Sequence, residues 1–433
     1  MNYHIATLGC QMNEYDSGLL ARLLESSGCK AAASPESADL IIFNTCSIRE
    51  KAEETAMARI SQFKPLKHKN PNLKVIVVGC MAKNKGREII KKLPFVDYVI
   101  GPDSYKEIPE IILKQKARER VFIDFDEDEN YQGEFAKLQT PYSTSITIQR
   151  GCNKRCSYCI VPFVRGIEKC KDAIDILAEI QEAVDKGVSE VMLLGQTVNA
   201  YKKDGETFAS LLEKVSTING VKRIRFISPH PKHYNDELLD VLLSNSKICH
   251  HVHLPLQSGS DAMLKKMRRQ YTADQFLSIV EALRSKDPFY AITTDIISGF
   301  VGETEEDFEK TLDLVRHTHF DNAFMYIYSA RKGTESFKEI ESLSEAEKLS
   351  RHQELVVIQN EITKQKNEAM YGRIEELLME RPSTKDPDEW VGKTGNFKKV
   401  VFKPNTIVRP GDYVTCKIND IRGWTLRGTV VGD

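Results

Sequence analysis

The stretch SITIQRGCNKRCSYC, Ser145–Cys159, joins a short apolar run to three cysteines with three and then two residues between them. The run has the length and β-branched content of a strand, and Gly151 marks a turn at its end. Zinc sites usually add a second cysteine pair a dozen or more residues away, and no such pair follows. Thiolates this close suit an iron–sulfur cube, whose irons lie near enough for neighbouring loop residues to reach different corners. Three thiolates, from Cys152, Cys156 and Cys159, would leave one iron open for a substrate or cofactor.

The strand before this triplet is the first of six. EVMLLGQ, RIRFIS, HVHLPLQ, ITTDIISGF and AFMYIYS follow, with helical stretches such as DAIDILAEIQEAVDKG and EEDFEKTLDLVRHT between them. Six strand–helix units predict a partial (β/α)6 barrel with its active site at the carboxyl ends of the strands. Polar residues fall there: Gln196 and Asn199, Ser228 and His230, Gln257 and Ser258, and Asp295 with Gly299. Polar residues at strand ends also cap helices and close loops. His230 and His253 read more simply as hydrogen-bonded barrel residues than as iron ligands.

Upstream, HIATLGC, ADLIIFNTC and LKVIVVGC alternate with helical stretches, which predicts an α/β domain with a parallel sheet. Each run ends on a cysteine, Cys10, Cys46 or Cys80. Strand ends of an open parallel sheet converge on the crevice where ligands bind, so these three point to a shared site. A buried structural role explains one or two cysteines, as it does Cys29, but three of three less well. The acidic stretch FIDFDEDENYQGEF reads as a solvated connector. Downstream, a polar helix from Ser344 to about Gly372 leads to IEELLME, KKVVFKP, YVTCKI and TLRGTVVGD, which predict a small antiparallel β-barrel. The expected division is 1–120, a linker 121–140, a central domain 141–370 and a tail 371–433.

With 433 residues and 41% apolar side chains, the chain has material for several cores. Ten cysteines are too sparse for a disulfide scaffold. No apolar run approaches the roughly 18 residues that span a bilayer, and the start lacks a signal-peptide pattern, so a cytoplasmic protein without a membrane partner is expected. Net charge is −1, but Arg49–Lys92 carries twelve Lys and Arg against four Asp and Glu, and the tail from Arg381 ten against six. Two basic regions flanking a neutral centre suit a nucleic-acid backbone, although charge runs are often only solvated helix faces.

CNKRCSYC has the spacing of radical S-adenosylmethionine enzymes. TLGCQMNEYDS, FNTCSIREKAE, VVGCMA, GCNKRCSYCIVPFVRG, LLGQTVN, SPHP, HLPLQSGSD, RRQYT, TDIISGF and GETEEDF resemble the methylthiotransferases of that superfamily, over nearly the whole chain. QMNEYDS and NTCSIREKAE resemble its tRNA-modifying branch. Relatives acting on threonylcarbamoyladenosine-37 of tRNA or on ribosomal protein S12 differ just after the first cysteine. Val301 and Ala330 replace prolines usual in the family and Ile227 a common threonine, which touches loop stiffness rather than ligands.

The resemblance implies two [4Fe-4S] clusters, one on Cys152, Cys156 and Cys159 and an auxiliary one on Cys10, Cys46 and Cys80. It implies S-adenosyl-L-methionine chelated by the open iron of the first, and a 5′-deoxyadenosyl radical that takes hydrogen from C2 of N6-isopentenyladenosine-37 in the anticodon stem-loop of tRNA. Sulfur from the auxiliary cluster, methylated by a second S-adenosylmethionine, would then bond to C2. The tail would be a TRAM domain that binds RNA. An electron donor such as flavodoxin or ferredoxin and an iron–sulfur carrier are implied as partners, with the chain acting as a monomer.

Beside Cys10, Tyr15 is a candidate to stack on the base, and Asn13 and Asp16 could read it or merely shape the turn. Gln196, Asn199, Gln257, Ser258 and Asp295 are candidates to bind S-adenosylmethionine, and Arg165, after the cysteine loop, is a further cofactor-binding candidate that could meet a carboxylate or a phosphate. Cys170, Cys249 and Cys416 fall outside both triplets.

Overall fold

Leu40–Thr45 is buried at every position, as a central strand covered on both faces must be. The computed structural model describes residues 1–114 and 119–431. The amino-terminal strands are β1 (Asn2–Leu8), β2 (Lys30–Ala31), β3 (Leu40–Thr45), β4 (Lys74–Gly79), β5 (Tyr98–Ile100) and β6 (Val121–Phe122). They form one parallel sheet in the order β2-β1-β3-β4-β5-β6. Its helices are α1 (Gln11–Ser26), α2 (Glu50–Ser61), α3 (Lys64–Lys69), α4 (Cys80–Lys85), α5 (Arg87–Lys92) and α6 (Ile108–Lys114). One core forms around Leu19, Leu24, Tyr105 and Tyr131, and the other around Phe43, Ile60, Val77 and Ile89.

The acidic stretch is not a free connector. β6 pairs with β5, and Tyr131 is fully buried, donating its hydroxyl to Pro102 O at 2.6 Å. Two apolar anchors outweigh the surrounding Asp and Glu, which stay at the surface while the backbone is held down.

The central strands are β7 (Ser143–Thr147), β8 (Gln149–Arg150), β9 (Lys169–Cys170), β10 (Glu190–Leu194), β11 (Lys202–Lys203), β12 (Glu206–Thr207), β13 (Arg223–Phe226), β14 (His251–His253), β15 (Ala291–Ser298) and β16 (Asn322–Ile327). Parallel sheets β13-β10-β7 and β14-β15-β16 are joined by a bridge between Ile224 and Ile248, giving the open six-stranded barrel. Around it lie α7 (Val161–Arg165), α8 (Ala173–Asp185), α9 (Phe208–Thr217), α10 (Asp236–Ser244), α11 (Asp261–Lys266), α12 (Ala273–Lys286), α13 (Glu305–Thr318) and α14 (Glu345–Glu368). Thr207, Thr272, Thr304 and Ser344 begin four of these helices with reciprocal capping boxes.

The tail is a closed barrel of β17 (Ile374–Pro382), β18 (Trp390–Thr394), β19 (Lys399–Phe402), β20 (Tyr413–Arg422) and β21 (Thr425–Val430). Its fifth member, β18, is the one the four apolar runs omit. Arg223 donates to Lys393 O at 2.8 Å and Glu376 O at 2.6 Å, and Arg225 to Gly395 O at 2.9 Å and Thr394 O at 2.8 Å. Two arginines of β13 thereby hold the β18–β19 turn against the central barrel.

Candidate active site

Cys46 and Cys80 follow their strands directly, and Cys10 follows β1 after Gly9. Cys10 caps α1, Cys46 follows β3, and Cys80 opens α4. β1, β3 and β4 are adjacent, so the three thiols meet at one sheet edge. Gly79 has φ +93°, and a Cβ there would lie 2.5 Å from Thr45 O, so only glycine lets β4 turn into Cys80. Cys10 has its pKa lowered to about 6, chiefly by a hydrogen bond from the Cys46 thiol and then by Arg165, against the opposing effect of burial. Cys80 is raised by burial, with Arg165 opposing.

The second triplet sits on a loop that the barrel pins. Ser157 N donates to Met267 O at 3.2 Å, its hydroxyl to Lys266 O at 2.9 Å, and its carbonyl accepts from Ser336 N at 2.9 Å. Hydrogen-bond donors already surround its sulfurs. Lys154 N lies 3.4 Å from Cys152 Sγ, Val161 N 3.5 Å from Cys159 Sγ, and Arg269 Nη1 3.3 Å from Cys156 Sγ. Burial, then the neighbouring Cys156, pushes the Cys159 thiol up to about 12.

Donor-lined thiols in two sets of three fit iron–sulfur clusters, whose sulfurs accept such bonds. All ten cysteines are free. Among the described residues no three Cys, His, Asp or Glu side chains converge on a single metal ion.

α7 links the two triplets. Cys159 lies two residues before its start, and Arg165 at its end donates from Nε to Cys80 Sγ at 3.0 Å. Five residues at 1.5 Å each make the helix only about 8 Å long. The amino-terminal domain also grips the barrel through Arg331, which donates to Ser47 O at 2.8 Å and to Glu53 Oε1 at 3.0 Å, and through Arg49 over the Tyr326 ring at 4.8 Å.

Several expected contacts are overturned. Tyr15 is 1% exposed, donates its hydroxyl to Glu179 Oε1 at 3.0 Å and accepts from Lys171 Nζ at 3.1 Å, so its ring cannot stack on a base. Asn13 shapes the turn, the other role open to it: its Oδ1 accepts from Cys10 N at 3.2 Å and its Nδ2 donates to Asn44 Oδ1 at 2.8 Å. Asp16, fully buried, binds Arg150 and Arg165. Arg165 is 3% exposed and is held by Cys80 Sγ and Asp16, beside the amino-terminal triplet. The inward face of α1 explains Tyr15, which packs with Met12 against Leu194 of the barrel.

The strand-end residues divide. Asn199 is consumed by both backbone groups of His230, at 3.0 and 2.7 Å. Ser258 faces α13, 3.2 Å from Thr311 Oγ1. Gln257 bridges β14 to β15 through its backbone, donating to Asp295 O at 2.8 Å and accepting from Ile297 N at 2.9 Å. Asp295 meets His253 Nε2 at 3.2 Å and stays partly exposed. Gln196 keeps a buried Oε1 without a partner among the described residues. Arg269, in the quoted RRQYT, and Arg150 are the site residues that motif reading passed over.

Comparison with known proteins agrees with this geometry. Residues 2–101 match the uncharacterized protein family UPF0004, 146–315 the radical SAM superfamily and 368–431 the TRAM domain. The fold resembles the radical S-adenosylmethionine methyltransferase TsrM from Kitasatospora setae, with TM-score 0.59 and 13% identity over 75% of this chain and 72% of that one. The cobalamin-dependent radical enzyme OxsB follows with TM-score 0.55 and 12% identity over 84% of this chain and 56% of that one. The protein is therefore a radical S-adenosylmethionine enzyme with an added TRAM barrel, a class that works with an iron–sulfur cluster and S-adenosylmethionine.

Full-length relatives narrow the class. The tRNA-2-methylthio-N(6)-dimethylallyladenosine synthase of Thermoanaerobacter sp. (strain X514) is 42% identical over 99% of this chain and 92% of its own. Those of Moorella thermoacetica, at 41% over 99% and 98%, and Fusobacterium nucleatum, at 39% over 99% and 99%, carry the same name. The chain belongs to the tRNA-2-methylthio-N(6)-dimethylallyladenosine synthase family.

Proposed function

We infer that the protein adds a methylthio group to C2 of N6-isopentenyladenosine-37 of tRNA. The observation that carries this is the pair of cysteine triplets joined by α7, one on the amino-terminal sheet edge and one on the barrel loop. In this reading Cys152, Cys156 and Cys159 hold one [4Fe-4S] cluster, and Cys10, Cys46 and Cys80 a second. The clusters and S-adenosylmethionine supply radical formation and sulfur; the chain supplies the ligands, the orientation and a dry cavity.

Gln196 is the best placed of the candidates to bind S-adenosylmethionine, because its buried acceptor lacks a partner among the described residues and sits one residue before Thr197, whose hydroxyl lies 3.3 Å from Cys152 Sγ. Asp295 is the second. The tRNA would lie across the exposed basic residues Arg49, Lys51, Arg59, Lys64, Lys69, Arg87, Lys91 and Lys92 and those of the tail, Arg381, Lys399, Lys403, Arg409, Lys417 and Arg422. Trp424, 57% exposed on the β20–β21 turn, offers a stacking face there. Lys67 and Lys85 of the same sequence region are drawn into ion pairs with Asp97 at 2.9 Å and Glu53 at 3.4 Å and leave the RNA surface.

The same reading takes residues 1–120, 141–370 and 371–433 as the functional units, a low-potential electron donor and an iron–sulfur carrier as partners, and a cytoplasmic monomer. Among the described residues no helix is long and apolar enough to cross a membrane. The test is mass analysis of tRNA nucleosides from a strain lacking the gene. Loss of the 2-methylthio group with isopentenyladenosine left behind is expected, and unchanged tRNA would refute the assignment.

A further inference from the structure

Asp16, one fully buried carboxylate, faces two buried guanidiniums, those of Arg150 and, at 2.7 Å, Arg165. One positive charge is left over in a dry interior, where an uncompensated charge is costly. Arg165 shows where compensation lies. Its Nη1 serves Asp16, its Nε reaches Cys80 Sγ at 3.0 Å, and its Nη2 is buried with no acceptor among the described residues. The guanidinium is planar and rigid, so an acceptor beside the Cys80 sulfur comes within reach of its remaining N–H groups.

Arg269 at the other triplet is built differently. Its Nη1 lies 3.3 Å from Cys156 Sγ, but its Nε goes to the Tyr271 hydroxyl and its Nη2 to Pro255 O, both at 3.3 Å. All three of its nitrogens are engaged. Of the two arginines that touch a cysteine sulfur among the described residues, Arg165 alone keeps a nitrogen without an acceptor.

We propose that Arg165 is a positioning residue for the auxiliary cluster, donating from Nε to the Cys80 thiolate and from Nη2 to a cluster sulfur, and so raising that cluster's reduction potential. The assignment rests on the reading that Cys10, Cys46 and Cys80 hold a cluster. Reduction adds negative charge to the cluster, and a buried cation with N–H···S bonds favours the more negative state. Arg150 stays on Asp16 when Arg165 is replaced, so that carboxylate is not abandoned.

The test uses the full chain with Cys152, Cys156 and Cys159 changed to Ala, reconstituted anaerobically, and compares Arg165 with Arg165→Met and Arg165→Lys. Iron and sulfide are counted first, then the midpoint potential is titrated by electron paramagnetic resonance. With a full cluster in each protein, the potential is expected to move negative in Arg165→Met and to return part way in Arg165→Lys, which restores the charge without the planar fork. An unchanged potential overturns the assignment. Iron lost from Arg165→Met and Arg165→Lys alone also overturns it, because Arg165 would then only support the fold. A parent that binds no cluster instead refutes the reading of the triplet, and the assignment falls with it.

Discussion

The surroundings of His230 disfavour its proton in the folded chain. It is 5% exposed, its Nδ1 accepts from Lys232 N at 3.2 Å, and its Nε2 is buried without a partner among the described residues. Burial first, then the charges of Arg269, Lys154 and Lys232, bring its pKa down to about 2. The unfolded chain binds a proton here near pH 6.5 and the folded chain does not, so stability falls as pH drops below that value and goes on falling toward the folded pKa. The slope is up to ~1.4 kcal/mol per pH unit. Urea unfolding at pH 7 and pH 5 should therefore show a drop that is about 2 kcal/mol smaller in His230→Gln than in the parent chain. Equal drops in the two proteins would mean that His230 is protonated when folded.

At the scale of elements, the cysteine loop depends on the backbone before it. Gly151 has φ +71°, and a Cβ there would sit 1.8 Å from Ile167 O, inside the narrow gap between the loop's start and its return after α7. Gly151→Ala must push those strands of chain apart, at a cost on the order of 1–3 kcal/mol for the backbone alone. Iron bound at the barrel loop should fall severalfold while the fold persists by circular dichroism. The strand ends and the barrel count were legible in sequence because period and turn residues are local properties. Direction was not. QMNEYDS places Asn13, Tyr15 and Asp16 beside Cys10, but which side of α1 faces the barrel depends on Leu194, about 180 residues away. The strand β18, WVGKT, escaped because it is short, carries a glycine and has little apolar content. The acidic stretch misled in the opposite way, since composition records its charges and not that Tyr131 closes a core.

For the whole molecule, the turn between β18 and β19 decides how the tail meets the barrel. Phe397 takes φ +67°, an unfavourable conformation for its type, and stacks on His251 with ring centroids 4.6 Å apart and planes at 11°. Arg225 lies over the same ring at 5.0 Å and Lys393 at 4.7 Å. The turn also closes a cavity of about 330 Å³ that runs past Met192, Ile227 and Phe324 to Gln11, the residue after Cys10. A TRAM barrel fixed in this way holds its exposed basic residues at a set distance from the exposed lysines of α2, α3 and α5. Two patches at fixed separation act as one bivalent site, and a loosened tether lowers the effective concentration of the second patch. Phe397→Ala removes the stack and the cation contacts but leaves the carbonyl bonds of Arg223 and Arg225. An anticodon stem-loop should then bind roughly tenfold more weakly, with a shallower dependence of affinity on salt as fewer phosphates are engaged at once. Fluorescence anisotropy across a salt series reads both quantities. Unchanged affinity with an unchanged slope would show that the two basic faces bind RNA independently.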